Sequence, residues 1–164
     1  MIDSYLQEEN LASFFGRVNY KFMDRYILTA SLRADGSSLL ASGHKWGYFP
    51  SVALAWRMNE EAFLKNIDNL SNLKLRLSWG ESGQSAIDPY QTIGLLGSST
   101  YSFNNELASG LYPKTMSNKN LTWETTSVFD LGVDFGLFNN RLSGSLDIYK
   151  SYTRNVLMNR KIPS

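Results

Sequence analysis

The sequence predicts an all-β fold: an antiparallel up-and-down meander of about six long strands, an incomplete segment of a large transmembrane β-barrel. Three observations predict it. Apolar and polar residues alternate with period two in six separate stretches, the mark of strands with two unlike faces. Each stretch is about ten residues, longer than the roughly 5–6 of an ordinary soluble strand and close to the 9–11 tilted residues that cross a bilayer. The connections are short and long in turn, which in a meander gathers the short ones at one end and the long ones at the other.

The first two stretches, Ser13 to Phe22 and Tyr26 to Asp35, are separated only by Met23 to Arg25, a tight hairpin turn. "GSSLLASGHKW" leads to the third, Gly47 to Arg57. Pro50 lacks the amide donor of a central strand, which predicts a bulge or irregular pairing there. In "NEEAFLKNIDNL" one or two helical turns are expected, with Asn59 as the cap and Phe63, Leu64 and Ile67 on one face. Glu60 and Glu61 then fall in the first turn, near the positive end of the helix. The fourth stretch, Leu73 to Glu81, is followed by a very long connection from Ser82 to Thr122. The fifth and sixth, Trp123 to Phe135 and Arg141 to Ser151, flank "GLFNN", whose Asn139-Asn140 pair reads as a tight turn.

The two parities differ in kind. One carries Phe14, Val18 and Tyr20, then Leu28 and Leu32, Val52 and Leu54, Leu75 and Leu77, Leu131 and Val133, and Leu146 and Ile148, with no charge among them. The other carries Arg17, Lys21, Arg33, Asp35, Arg57, Lys74, Arg76, Asp130, Asp134, Arg141 and Asp147. A soluble sandwich also separates its faces, so the aromatics discriminate. Tyr20, Phe22, Tyr26, Trp56 and Phe135 lie at the short-turn end of the apolar parity, and Phe14, Tyr48 and Trp79 at the long-loop end, with Leu, Val and Ala between. Two aromatic belts around an aliphatic band are the signature of a lipid-facing barrel wall. Phe15, Ile27 and Phe49 break the pattern on the polar side, where they are expected to pack on something inside the barrel. Lys150 breaks it on the apolar side, near the long-loop end, within reach of headgroups.

Composition excludes several classes. A net charge of +1 without a basic cluster gives no electrostatic ground for nucleic acid. The absence of cysteine excludes a disulfide framework and a thiolate metal site. "MIDSYLQEEN" has neither the basic nor the apolar region of a secretory signal, and no apolar run approaches the roughly 20 residues of a transmembrane helix.

No arrangement for catalysis, metal or cofactor emerges, so no enzyme is expected. His44, the only histidine, lies in a Gly/Ser-rich loop and is expected to be solvated. "WGESGQ" is not a nucleophile elbow. "ADGSS" has one Asp-Gly where a calcium loop needs several alternating carboxylates, and reads as loop geometry. Asp130, Asp134 and Asp147 are expected to face Arg and Lys across strands rather than to form a carboxylate dyad. The binding candidates are Tyr90, Tyr101, Tyr112 and Trp123, with Phe103, set among Asn, Ser and Gly. They suit contact with a substrate or partner, and equally packing of the long loop on itself.

Read in order, "FFGRVNYKFMDRYILTASLRADGSS", "KWGYFPSVALAWRMNEEAFL", "LKLRLSWGESGQ" and "LTWETTSVFDLGVDFGLFNNRLSGSLDIY" resemble the barrel of the SusC/RagA family, TonB-linked outer-membrane transporters. The resemblance runs from about Leu11 to Val156. It implies active import of large nutrients, glycans or peptides, captured with a SusD-like lipoprotein and driven by the TonB complex, from a barrel surrounded by outer-membrane lipid. The family's signal peptide, plug domain, TonB box and terminal barrel strand have no counterpart in these residues. Residues 1–164 are therefore expected to be part of a barrel that needs about 22 strands to close. A passive porin-type barrel would share the alternation without the motif string. A soluble carbohydrate-binding β-sandwich would need no membrane.

Overall fold

Period-two alternation becomes strand along nearly its whole length in the computed structural model, which describes residues 8–65, 67, 69–85, 87, 89–103 and 106–158. The strands are β1 (Leu11–Phe22), β2 (Tyr26–Ser37), β3 (Trp46–Arg57), β4 (Leu70–Gln84), β5 (Leu96–Phe103), β6 (Glu106–Pro113), β7 (Glu124–Leu137) and β8 (Leu142–Arg154). Six form one antiparallel sheet in the order β1-β2-β3-β4-β7-β8, an open meander as expected. The remaining two, β5 and β6, pair only with each other inside the Ser82–Thr122 connection. Their Gly/Ser-rich sequence has no strict alternation, which is why they are not legible as strands.

Register determines the faces, because directly paired residues of an antiparallel ladder project to the same side. Tyr20, Leu28, Leu54, Leu77, Leu131 and Ile148 are successive partners, one row crossing all six strands. The row through Lys21, Ile27, Ala55, Arg76, Gly132 and Asp147 crosses on the opposite, polar face. Nothing among the described residues covers the apolar face: Val18 is 68% and Ile148 66% exposed.

The short turns sit at one end. Met23 and Asp24 both take positive φ, and Phe138, Asn139 and Asn140 do so in succession, with Arg141 N–H donating to the Phe138 carbonyl at 3.2 Å. Left-handed residues match the twist of a tight hairpin, and Asn tolerates them best. At Pro50 the pairing with β2 continues unshifted, but the ladder between β3 and β4 stops at Ser51 and Gly80. The missing donor is thus met by the end of a ladder rather than by a bulge.

The expected helix is reduced to one 3-10 turn, Met58–Glu60, with Arg57 rather than Asn59 at its N-cap and no side-chain cap. Asn59 Oδ1 instead accepts from the Leu73 amide at 3.5 Å. Helical turns continue through Lys65, whose amide donates to the Glu61 carbonyl at 2.9 Å. Phe63 and Ile67 are exposed and only Leu64 is half-buried, so most of the apolar face expected to hold a helix is left unpacked by the described residues. Asn66 and Asp68 of this stretch lie outside the described residues.

The buried core is small and sits at the long-loop end, where Leu40, Phe49 and Trp123 cluster with Ile87 and Leu121 against them. Phe49 meets Trp123 edge-on, centroids 5.5 Å apart. A Cβ on Gly47 would come within 2.6 Å of the Phe49 ring, so glycine there is a condition of this packing. Of the other two apolar residues on the polar face, Phe15 carries the Arg17 guanidinium over its ring at 5.1 Å. Ile27 borders a shallow depression with Thr29, Ala53 and Arg76.

Candidate functional site

The long-loop end holds the four aromatic candidates in three different settings. Tyr101 and Tyr112 share one face of the β5–β6 hairpin. Tyr112 is the direct partner of Gly97 and covers it, and Tyr101 lies over Gly110. An aromatic ring laid over a cross-strand glycine restores contact where the strand has no side chain. Both rings remain about half exposed, at 52% and 48%. Leu107 and Leu111 project from the opposite face and are also exposed. Tyr90 stands apart, left-handed at φ 68°, beside an open depression of about 400 Å³ with Asn10, Leu39 and Ile93. Trp123 is 6% exposed, and its Nε1 donates to the Lys45 carbonyl at 3.0 Å. It belongs to the small buried core with Leu40 and Phe49. The Phe103 side chain lies outside the described residues.

A cleft of about 440 Å³ opens where β3 and β4 part, walled by Trp46, Tyr48, Phe49 and Trp123, with Glu81 and Arg154 at its edge. Arg154 Nη2 lies 2.6 Å from Glu81 Oε1. Sequence reasoning did not find this pair, since Arg154 lies beyond the last legible strand residue and on a strand not adjacent to that of Glu81.

On the polar face the acids meet bases across strands. Arg76 grips Asp134 through Nε and Nη2 at 2.9 and 2.8 Å, and the same Nη2 reaches Asp147 Oδ1 at 2.7 Å. Lys74 adds a contact to Asp134 at 3.5 Å. Asp134 and Asp147 are thus held by one guanidinium, the arrangement expected of structural ion pairs, and bidentate geometry makes it specific. Asp130 has no ion pair among the described residues. Asp35 lies within β2 rather than in a loop, buried and accepting from Arg33 Nε at 2.8 Å. His44 is exposed.

At the short-turn end the aromatic belt is continuous: Tyr20, Phe22, Tyr26 and Trp56 follow ring to ring at 6.5, 6.4 and 6.1 Å. Glu61 closes over it. Its Oε1 accepts from Trp56 Nε1 at 3.0 Å and from the Tyr26 hydroxyl at 2.8 Å, and its Oε2 from Arg25 at 2.9 Å. These bonds, the indole first, hold the Glu61 carboxyl below the usual carboxylate range. Glu61 has left the 3-10 turn to serve as this clasp.

An uncovered apolar sheet face with aromatic belts, a charged opposite face and loops sorted by length defines a class: the wall of an outer-membrane-type β-barrel. Within that class the chain belongs to the TonB-dependent receptor family, since residues 2–164 match the family described as TonB dependent receptor-like, beta-barrel. It is 43% identical over 153 residues to TonB-dependent receptor P26 of Formosa agariphila, covering 93% of this chain and 16% of that protein. It is 42% identical over 170 residues to TonB-dependent receptor SusC of Bacteroides thetaiotaomicron, covering 98% of this chain and 16% of the relative. The fold superposes on the structure of the RagAB peptide transporter with a TM-score of 0.83 and 34% identity, over 94% of this chain and 17% of that one. The chain thus spans about one sixth of the length of the relatives it matches.

Proposed function

We propose that this chain forms part of the wall of a TonB-dependent active importer in the outer membrane, one that takes in glycans or peptides too large for passive pores. The single observation that carries the reading is the apolar face, uncharged from the short-turn belt up to the row of Lys150, continuous over six strands and met by no second sheet among the described residues. A sandwich would bury that face against another sheet. A passive porin would share it, but the kinship with SusC and with a peptide transporter favours energised import. The wall residues themselves do no chemistry; the protein acts by holding a closed, hydrated path.

In this reading the long loops face the cell exterior, where a SusD-like lipoprotein and the nutrient meet the barrel. Tyr101 and Tyr112 offer two half-exposed rings on one face of a hairpin at that end, a surface fit for stacking on sugars or on a partner's side chains. Tyr90 is a separate, weaker contact point, and Trp123 supports the loop base from within the core.

The test is a Tyr101→Ala/Tyr112→Ala double variant of the full-length protein. Loss of growth on the nutrient polymer with normal surface abundance supports capture by this face. Unchanged growth together with unchanged co-purification of the lipoprotein assigns the two rings to covering Gly97 and Gly110.

A further inference from the structure

The two aromatic belts do not follow single rows of the ladder. At the long-loop end Phe14 and Tyr48 share the row through Ala34, whereas Trp79 and Phe129 lie four rungs nearer the short turns, in the row of Val52. At the short-turn end Phe22, Tyr26 and Trp56 share a row, and Phe135 lies two rungs beyond it. Both belts therefore step in the same direction on going from β1 to β7. Strands tilted by about 35–45° to the membrane normal require this, because a row perpendicular to the strands then climbs relative to the bilayer.

The step locates Lys150. Its partner in the ladder is Phe129, so the belt that runs through Trp79 and Phe129 arrives next at Lys150. Below it on the same face of β8 come Ile148, Leu146, Gly144 and Leu142, all uncharged; above it come Tyr152 and then Arg154. Arg154 is taken by Glu81. Lys150 is exposed and has no ion-pair partner among the described residues. An unpaired ammonium at the level of an aromatic belt, with a tyrosine one step outward, suits an anionic headgroup: the four-carbon stem lies along apolar surface while the charge and the phenol reach the polar layer.

We propose that Lys150, with Tyr152 beside it, binds the phosphate of an anionic lipid headgroup in the leaflet on the long-loop side. The proposal rests on the apolar face being a lipid-facing wall. It assigns Lys150 to recognition of one headgroup chemistry rather than to general anchoring.

Full-length protein in detergent, with added phosphatidylglycerol or phosphatidylcholine, tests it by native mass spectrometry of the lipids retained. Lys150→Gln should retain about fivefold less phosphatidylglycerol, with phosphatidylcholine unchanged and Lys150→Arg close to wild type. Heat-modifiable mobility on gels confirms that each variant is a folded barrel. Equal retention of phosphatidylglycerol by folded wild type and Lys150→Gln overturns the site while leaving the transporter reading intact. Equal retention of phosphatidylcholine and phosphatidylglycerol by the wild-type protein overturns the anionic headgroup as the ligand. Release of the wild-type protein from membranes without detergent overturns the lipid-facing wall and this site with it.

Discussion

Arg76 reaches Asp147 across an intervening strand. The two are 71 positions apart, on β4 and β8, and Arg76 Nη2 lies 2.7 Å from Asp147 Oδ1. Between them in the ladder stands Gly132, directly paired with both. A Cβ there would come within 2.8 Å of Nη2 and would also meet the Asp147 carboxylate. The absence of a side chain on β7 is what lets one guanidinium tie β4, β7 and β8 together on the polar face.

Gly132→Val should therefore push the guanidinium aside and release Asp147, destabilising the barrel by about 1–3 kcal/mol, as overpacking of a fitted site does. Adding Asp147→Asn to Gly132→Val should cost less than Asp147→Asn alone, because the contact is already lost. Denaturant unfolding of the four full-length proteins checks this, and strict additivity would refute it.

Leu75 and Arg76 are neighbours on opposite faces, which makes them a test of which face meets lipid. Arginine on the lipid face near the midplane costs roughly 2–4 kcal/mol. Loss of ion pairs about one third exposed, as at Arg76→Leu, costs about 1 kcal/mol. Leu75→Arg should thus impair assembly more than Arg76→Leu, read as the heat-modifiable fraction on gels. The reverse order would exchange inside and outside.

The loop-end hairpin and the Asn139-Asn140 turn lie at opposite ends of the strands. An epitope inserted at Ser98, on β5, should be labelled on intact cells, and one at Asn140 should be labelled only after the outer membrane is opened. Labelling of the second site alone would invert the orientation.

Glu61 gives a pH dependence with a definite sign. Its carboxyl is held below the ordinary carboxylate range by the Trp56, Tyr26 and Arg25 donors, so the clasp stabilises the folded state above the unfolded value and is lost as pH falls through the folded one. The difference in unfolding temperature between wild type and Glu61→Gln should hold constant from about pH 8 to 5, then shrink below about 4, the ordinary glutamate range. A difference that instead vanished between pH 7 and 5 would rule the clasp out.

By itself the sequence determined whatever depends on period two and on local turn chemistry. Alternation is a property of one strand's backbone, so it was enough to mark the six strands of the sheet, to separate Leu75 from Arg76, and to make Lys150 stand out from the uncharged Leu142, Gly144, Leu146 and Ile148 of its own parity. Consecutive asparagines tolerate left-handed φ, so the turn at Asn139-Asn140 was legible too. The tertiary structure alone decided which residues meet across strands. That Arg76, rather than Arg57 or Lys21, takes both Asp134 and Asp147 follows from register and from the gap at Gly132. The β4–β7 register is fixed by pairings dozens of residues apart, which no local pattern encodes. For the same reason the burial of Trp123, the Glu81–Arg154 pair and the β5–β6 hairpin appeared only in the fold. Glu61 shows the competition most directly: a first-turn helical acid by local propensity, it sits within reach of two aromatic donors and an arginine, and three hydrogen bonds outweigh a helix whose Phe63 and Ile67 stay exposed.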